Sequence, residues 1–169
     1  MEINYKDKFF NETEHNIINQ YCMSASYQYG ETDNVGTPCT GLIHNIPETE
    51  FVHKLFRKKL SDEYKEVTTD MKLYRMYVNC FAPSENPYFH TDGEEGITFL
   101  YYPNMNWDLQ EGGETQFYIN DDIYGITPVP NRIVIFSANI KHRATTFRNN
   151  HRFTAVSYTH LTLPTIYSV

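Results

Sequence analysis

The chain is poor in cysteine, tryptophan, basic residues and long apolar runs, and each shortage excludes something. Its three cysteines, Cys22, Cys39 and Cys80, are an odd set without CxxC spacing. A disulfide framework or a thiolate zinc site is therefore not expected, and reduced thiols in a cytosol-like compartment fit better. No apolar stretch approaches the ~18 residues of a membrane span. The first residues, Met1 to Asp7, are polar and lack the apolar core of a secretory signal. The expected placement is cytoplasmic, with no membrane partner. Lys and Arg number 14 against 21 Asp and Glu, a formal net charge of -7. So acidic a chain has no general affinity for a phosphate backbone, and nucleic acid is not an expected partner. There is no internal repeat, linker or low-complexity stretch.

What remains is a globular composition. At 169 residues the chain has one domain's length and can bury a core without covalent staples. Hydrophobic residues make up 40%, and the 14 Tyr and 11 Phe favour β structure. Two helices are expected early. One spans Thr13 to Cys22, capped by Thr13, with Ile17, Ile18 and Tyr21 as its apolar stripe. The other spans Glu48 to Leu60, with Phe51, Leu55, Phe56 and Leu60 at helical spacing and basic residues in its last turns. Both are expected on one face of a sheet. Ser24 to Asn34 reads as a strand running into a loop.

From Val67 the texture changes to short β runs. Expected strands are Met71–Phe81, Tyr88–Asp92, Ile97–Tyr102, Thr115–Ile119, Tyr124–Thr127, Arg132–Phe136, Lys141–Phe147 and Arg152–Ala155. Such strands after two helices suggest a mostly β fold, a double-sheet jelly roll or cupin-like barrel. The expected organisation is a single domain over 1–155, with helical support over about 1–66 and the β core over about 67–155. Residues 156–169 resemble a translated sequencing-library adapter and are read as a non-native tail outside the fold.

The chemistry is concentrated in His90-Thr91-Asp92. Residues two apart on a strand share a face, so an imidazole and a carboxylate would stand side by side. Two histidines and a carboxylate can hold one face of an iron ion and leave the other open. His142, from a later strand, would complete such a set. Taken alone, HxD is a weak signal, and a surface histidine near Glu94 and Glu95 is its ordinary explanation. The order HxD, then His, then Arg152 ten residues further on, with Gly112-Gly113-Glu114-Thr115 between, is more specific. Without the upstream histidine, Arg152 would read as a surface ion pair.

This order resembles the iron(II)- and 2-oxoglutarate-dependent oxygenases, and among them the prolyl 4-hydroxylase-like branch. The resemblance covers roughly Leu73 to Ala155 and includes Ile97 to Tyr102 and Asn106-Trp107-Asp108. It implies a double-stranded β-helix. It implies that His90, Asp92 and His142 are the iron ligands and the catalytic centre, and that Arg152 holds the distal carboxylate of 2-oxoglutarate. A guanidinium suits that task, since it offers parallel donors and keeps its charge when buried. Tyr102 sits where a hydroxyl on that carboxylate is common, and it reads equally as a plain core aromatic. Thr115 matches a position lining the cosubstrate pocket, and the glycines before it serve a tight turn. Many relatives carry a tyrosine where this chain has Phe81, so Tyr102, Tyr77 or Asn79 would supply the missing partner. His15, His44, His53 and His151 are not ligand candidates.

The implied reaction is hydroxylation of a C–H bond, with release of succinate and CO2. It would use Fe(II), 2-oxoglutarate and O2, with ascorbate as a reductant. The implied substrate is a prolyl residue in a protein or peptide. Cys80–Tyr88 and Asn104–Glu111, which carries Trp107, are expected to form the substrate lip, unless Trp107 simply plugs the barrel end. Two alternatives stand beside this reading: a cupin-like metal-binding module without oxygenase activity, and an oxygenase acting on a small molecule.

Overall fold

The computed structural model describes residues 3–68 and 71–161. Among these, strands β1 (Asn4–Lys6), β2 (Leu42–Asn45), β3 (Met71–Phe81), β4 (Ile97–Tyr101), β7 (Ile133–Ser137) and β9 (Arg152–Leu161) form a six-stranded antiparallel sheet. Its order is β1-β7-β4-β9-β3-β2. Strands β5 (Thr115–Ile119), β6 (Asp122–Ile126) and β8 (Lys141–Ala144) form a second sheet in the order β6-β5-β8. The β5–β6 hairpin turns on Asn120 and Asp121, both at positive φ as a tight two-residue hairpin loop demands.

Strict alternation divides the large sheet between two cores. Phe99 and Tyr101 of β4 point to the helical side, where they pack with Phe10, Ile18, Cys22, Val52, Phe56 and Leu60. Leu100 and Tyr102 point the other way, toward Phe117 of the small sheet, together with Val134, Phe136 and Val156. Every residue of β4 is consequently buried. Phe10, Phe56 and Tyr101 meet edge to face at 4.9 to 5.3 Å, a geometry that adds about 0.5–1.5 kcal/mol per pair beyond burial.

The helices cover that first face, with shifted details. Helix α1 runs Glu12–Ser24, and its cap is Asn11 rather than Thr13. The Asn11 side chain accepts from Glu14 N, while the Glu14 carboxylate accepts from Asn11 N. This reciprocal box satisfies two backbone donors and outcompetes a lone threonine. Its buried stripe is His15, Ile18, Asn19 and Cys22, whereas Ile17 faces outward. Helix α2 runs Phe51–Glu63, buries Val52, His53, Phe56 and Leu60, and has no basic residue in its last turn. A short helix α3 (Lys65–Thr68) follows.

Three further departures bear on the site. Tyr88–Asp92 is not a strand: within it only His90 forms a bridge, and Asp92 N and Gly93 N both turn to Ala138 O, which no ladder permits. Residues 24–34 form no strand either, making only isolated bridges at Gln28 and Thr32. Finally, β9 does not stop at Ala155. It continues to Leu161 between β3 and β4, with Val156, Ser157 and Thr159 buried. The alternating, β-favouring run from Val156 carries the strand on, so 156–161 belong to the fold; 162–169 lie outside the described residues.

Candidate active site

A reciprocal pair of backbone hydrogen bonds builds the centre. His90 N donates to His142 O at 3.1 Å, and His142 N donates to His90 O at 2.9 Å. This isolated bridge ties the loop after β3 to β8 and brings the two rings within 4.5 Å. Asp92 joins them from its bend. Its Oδ1 lies 3.9 Å from His90 Nε2 and its Oδ2 lies 3.6 Å from His142 Nε2. One ligand atom from each of the three residues lies within 4.8 Å of the others, a grouping able to hold a metal ion.

The chemistry of this donor set fits such an ion. The Nδ1 of His142 lies 2.9 Å from Ile140 O, and that of His90 lies 3.1 Å from Tyr88 O. A carbonyl can only accept, so Nδ1 carries a proton in both rings and Nε2 is the atom turned toward Asp92. Burial pushes His142 below its usual pKa, which favours the neutral imidazole that a metal requires. Phe136 and Phe117 pack against its ring. Thr98 Oγ1 donates to Asp92 Oδ2 at 2.6 Å and orients the carboxylate.

Two recesses open from this centre. The outer cavity, about 170 Å³, is walled by Gln28, Glu31, Thr32, Asp33 and Arg75 and reaches His90 and Asp92. The inner cleft is bounded by His90, His142, Leu100, Thr115, Val156 and Arg152. Tyr77, Asn79 and Phe81 line both, as alternation along β3 requires.

Arg152 anchors the inner cleft and is only 1% exposed. Its Nε donates to Gly113 O and its Nη2 to Thr115 Oγ1, each at 2.8 Å. Thr115 Oγ1 also meets Tyr102 Oη at 2.6 Å, and the guanidinium carbon lies 5.4 Å from the Tyr102 ring centre. Among the described residues no carboxylate forms an ion pair with Arg152. A buried guanidinium with no paired carboxylate is suited to receive an anion. Burial itself pushes the guanidinium below its usual value and the Tyr102 phenol above its own.

Tyr77, Asn79, His90, Thr115, His142 and Arg152 thus line the inner cleft, Asp92 stands beside the two histidines from the outer cavity, and Tyr102 lies behind the cleft, bonded to Thr115. Phe81 and Pro87 of Cys80–Tyr88 line the inner cleft. Trp107 packs on Phe147 at 5.6 Å and donates to Gly112 O, and it lines neither recess. The outer wall comes from residues 28–43, which no sequence signal marked. Thr98 was legible only as an inward residue of β4, and Asp33 carried no signal at all. His15 bonds Tyr101 and His44 bonds Tyr21, away from the centre, and His151 is exposed.

Residues 72–160, more than half the chain, match the family described as the 2OG-Fe(II) oxygenase superfamily. No curated protein matches the chain in sequence. Among solved structures, a prolyl-4-hydroxylase from Pseudomonas putida superposes with a TM-score of 0.75 at 11% identity, over 95% of this chain and 93% of that one. A prolyl hydroxylase from Trichoplax adhaerens, in complex with a hypoxia inducible factor oxygen degradation domain peptide fragment, gives 0.72 at 16% identity, over 93% and 82%. HygX from Streptomyces hygroscopicus, with nickel and 2-oxoglutarate bound, gives 0.74 at 10% identity, over 95% and 83%. The fold is shared with all three.

Proposed function

The chain belongs to the 2OG-Fe(II) oxygenase superfamily, and from that premise we propose that it hydroxylates a C–H bond of a prolyl residue in a protein or peptide. Membership implies Fe(II), 2-oxoglutarate and O2. In our reading His90, Asp92 and His142 hold the iron and Arg152 holds the distal carboxylate of 2-oxoglutarate, with Thr115 and Tyr102 fixing the guanidinium. Tyr77 and Asn79 flank the cosubstrate. Ascorbate serves as a reductant.

When bound, the iron couples decarboxylation of 2-oxoglutarate, to succinate and CO2, with oxidation of a substrate C–H bond. The protein's own contribution is placement. Thr98 holds the Asp92 carboxylate, and the Ile140 and Tyr88 carbonyls fix the two imidazoles through Nδ1. Phe117, Phe136 and Leu100 make the inner side dry, which strengthens every charge interaction there. The substrate's approach is left to the outer cavity.

The single observation carrying this reading is the buried, anion-seeking Arg152 behind the His90–Asp92–His142 cluster. A metal-binding module without oxygenase activity has no use for it. The prolyl substrate is supported by the two prolyl hydroxylases that share the fold. The polar wall of Gln28, Glu31, Thr32, Asp33 and Arg75 favours a second reading, a small polar substrate.

The test is succinate release from 2-oxoglutarate with Fe(II), in the wild type and in Arg152→Gln. The expected result is release in the wild type only, with Mn(II) binding kept in the variant. Release that ignores the substitution would sink the assignment. Mass spectrometry of proline-containing peptides and of polar metabolite pools, seeking the gain of one oxygen atom, separates the two substrates.

A further inference from the structure

We propose that Asp33 is a positioning residue that couples the strap of residues 28–43 to the first metal ligand, so that metal binding and ordering of the strap reinforce each other. The inference rests on the metal-site reading above and adds to it a residue that lies far from the His90–Asp92–His142 cluster in sequence.

The strap follows α1, lines the outer cavity and returns into β2. It folds on itself through the bridges Gln28↔Ile43 and Thr32↔Cys39. Its base is fastened by Arg75, whose Nη1 and Nη2 meet Glu31 Oε1 and Oε2 at 2.6 and 3.0 Å. Its return is fastened by Glu85, which accepts from Gly41 N at 2.8 Å. The middle is fastened to the segment that presents His90. Asp33 Oδ2 accepts from Tyr88 N at 2.8 Å and from Thr40 Oγ1 at 2.9 Å. Asn34 Nδ2 donates to Phe89 O at 2.9 Å.

The other oxygen of the same carboxylate, Asp33 Oδ1, lies 3.4 Å from His90 Nδ1. The two histidines therefore differ. The Nδ1–H of His142 is met by a backbone carbonyl. That of His90 is shared between a carbonyl at 3.1 Å and a side-chain carboxylate belonging to the strap. A carboxylate behind a ligating imidazole fixes its rotation and raises its basicity at Nε2. In return, an imidazole bound at Nε2 becomes a stronger donor at Nδ1 and grips the carboxylate more firmly. By reciprocity the strap and the metal must favour each other to the same degree. The Asp33 side chain is 13% exposed and that of His90 22%, so the contact is largely shielded from water.

Mn(II) is the probe, with free ion followed by electron paramagnetic resonance and the strap followed by hydrogen exchange of residues 29–41. In the wild type Mn(II) should slow exchange across the strap. In Asp33→Ala that slowing should vanish, and Mn(II) should bind about tenfold more weakly, within the range for lost outer-shell partners. Asp33→Asn keeps an acceptor for Tyr88 N and Thr40 and should weaken Mn(II) binding by a smaller factor while retaining the slowing. If the alanine variant does not fold, the asparagine variant decides. A dissociation constant within twofold of wild type in the deciding variant overturns the proposal, as does strap exchange that ignores Mn(II) in the wild type. A wild type that binds no Mn(II), or binds it as well after His142→Ala, overturns the metal-site reading itself, and the proposal with it.

Discussion

Thr98 and Asp92 share a 2.6 Å hydrogen bond in which the threonine hydroxyl donates to Asp92 Oδ2. The same oxygen stands 3.6 Å from His142 Nε2. Thr98 is fully buried, and its strand is covered on both faces, so this hydroxyl cannot drift. It decides which way the carboxylate presents its lone pairs. Thr98→Val keeps the shape and removes the donor. Mn(II) affinity should fall about tenfold, with near-native far-ultraviolet dichroism. Unchanged Mn(II) affinity would show that Asp92 is oriented by other groups.

Tyr102→Phe isolates one hydroxyl in the Arg152 network. The phenol meets Thr115 Oγ1 at 2.6 Å, and Thr115 in turn meets Arg152. Loss of the hydroxyl should cost about 1 kcal/mol in a denaturation experiment. It should also raise the 2-oxoglutarate dissociation constant roughly three- to tenfold by calorimetry, since about 1.4 kcal/mol is a factor of ten. A stability loss without any change in 2-oxoglutarate binding would reduce Tyr102 to a core aromatic.

Gly113 is where backbone conformation and site meet. Its φ is +78°, and an added Cβ would stand 2.9 Å from Trp107 Cζ2 and 3.4 Å from Arg152 Cδ. Its carbonyl also accepts from Arg152 Nε. Gly113→Ala should therefore destabilise the fold by about 1–3 kcal/mol and weaken 2-oxoglutarate binding, because the strain falls on the residue holding the guanidinium. Thermal melting and calorimetry check both parts.

Acid should loosen the metal-free protein in two stages. Burial pushes His15 and His53 below their usual value of 6.5. The unfolded chain then binds protons first as pH falls. Stability is whole above about 6.5 and declines as pH drops below it. His142 acts in the same direction. A lower stage follows from Asp7, which the Arg132 hydrogen bond holds below its usual 3.8, so its contribution disappears only in stronger acid. Melting curves between about pH 7.5 and 3 should show the first decline well before carboxylates titrate. A flat profile down to about pH 5 would contradict the burial of these imidazoles.

The parts of the fold legible in the sequence are those dictated by local pattern. β3 and β5 lie where their alternation puts them, and Thr98, Leu100 and Tyr102 share the interior face that period two requires. The HxD, His and Arg spacing marked the cluster itself. What escaped is what depends on distant partners. Asp92 sits in a bend because Ala138 O captures two successive amides. Residues 28–43 take their shape from Arg75, Tyr88 and Glu85, each remote in the chain. Asp33 reads in the sequence as an ordinary loop carboxylate. The second half of β9 owes its place to pairing with both β3 and β4, which the local run from Val156 does not announce.

The course of β9 through the middle of the large sheet gives its later half an architectural duty. Each residue from Val156 to Thr159 has a neighbour in β4 or β3, and Val156 also walls the inner cleft. Shortening the chain to end at Ala155 would unzip the sheet along its midline, leave two bare backbone edges facing each other and open the inner cleft from behind. A cut beyond Leu161 would spare every one of those pairings.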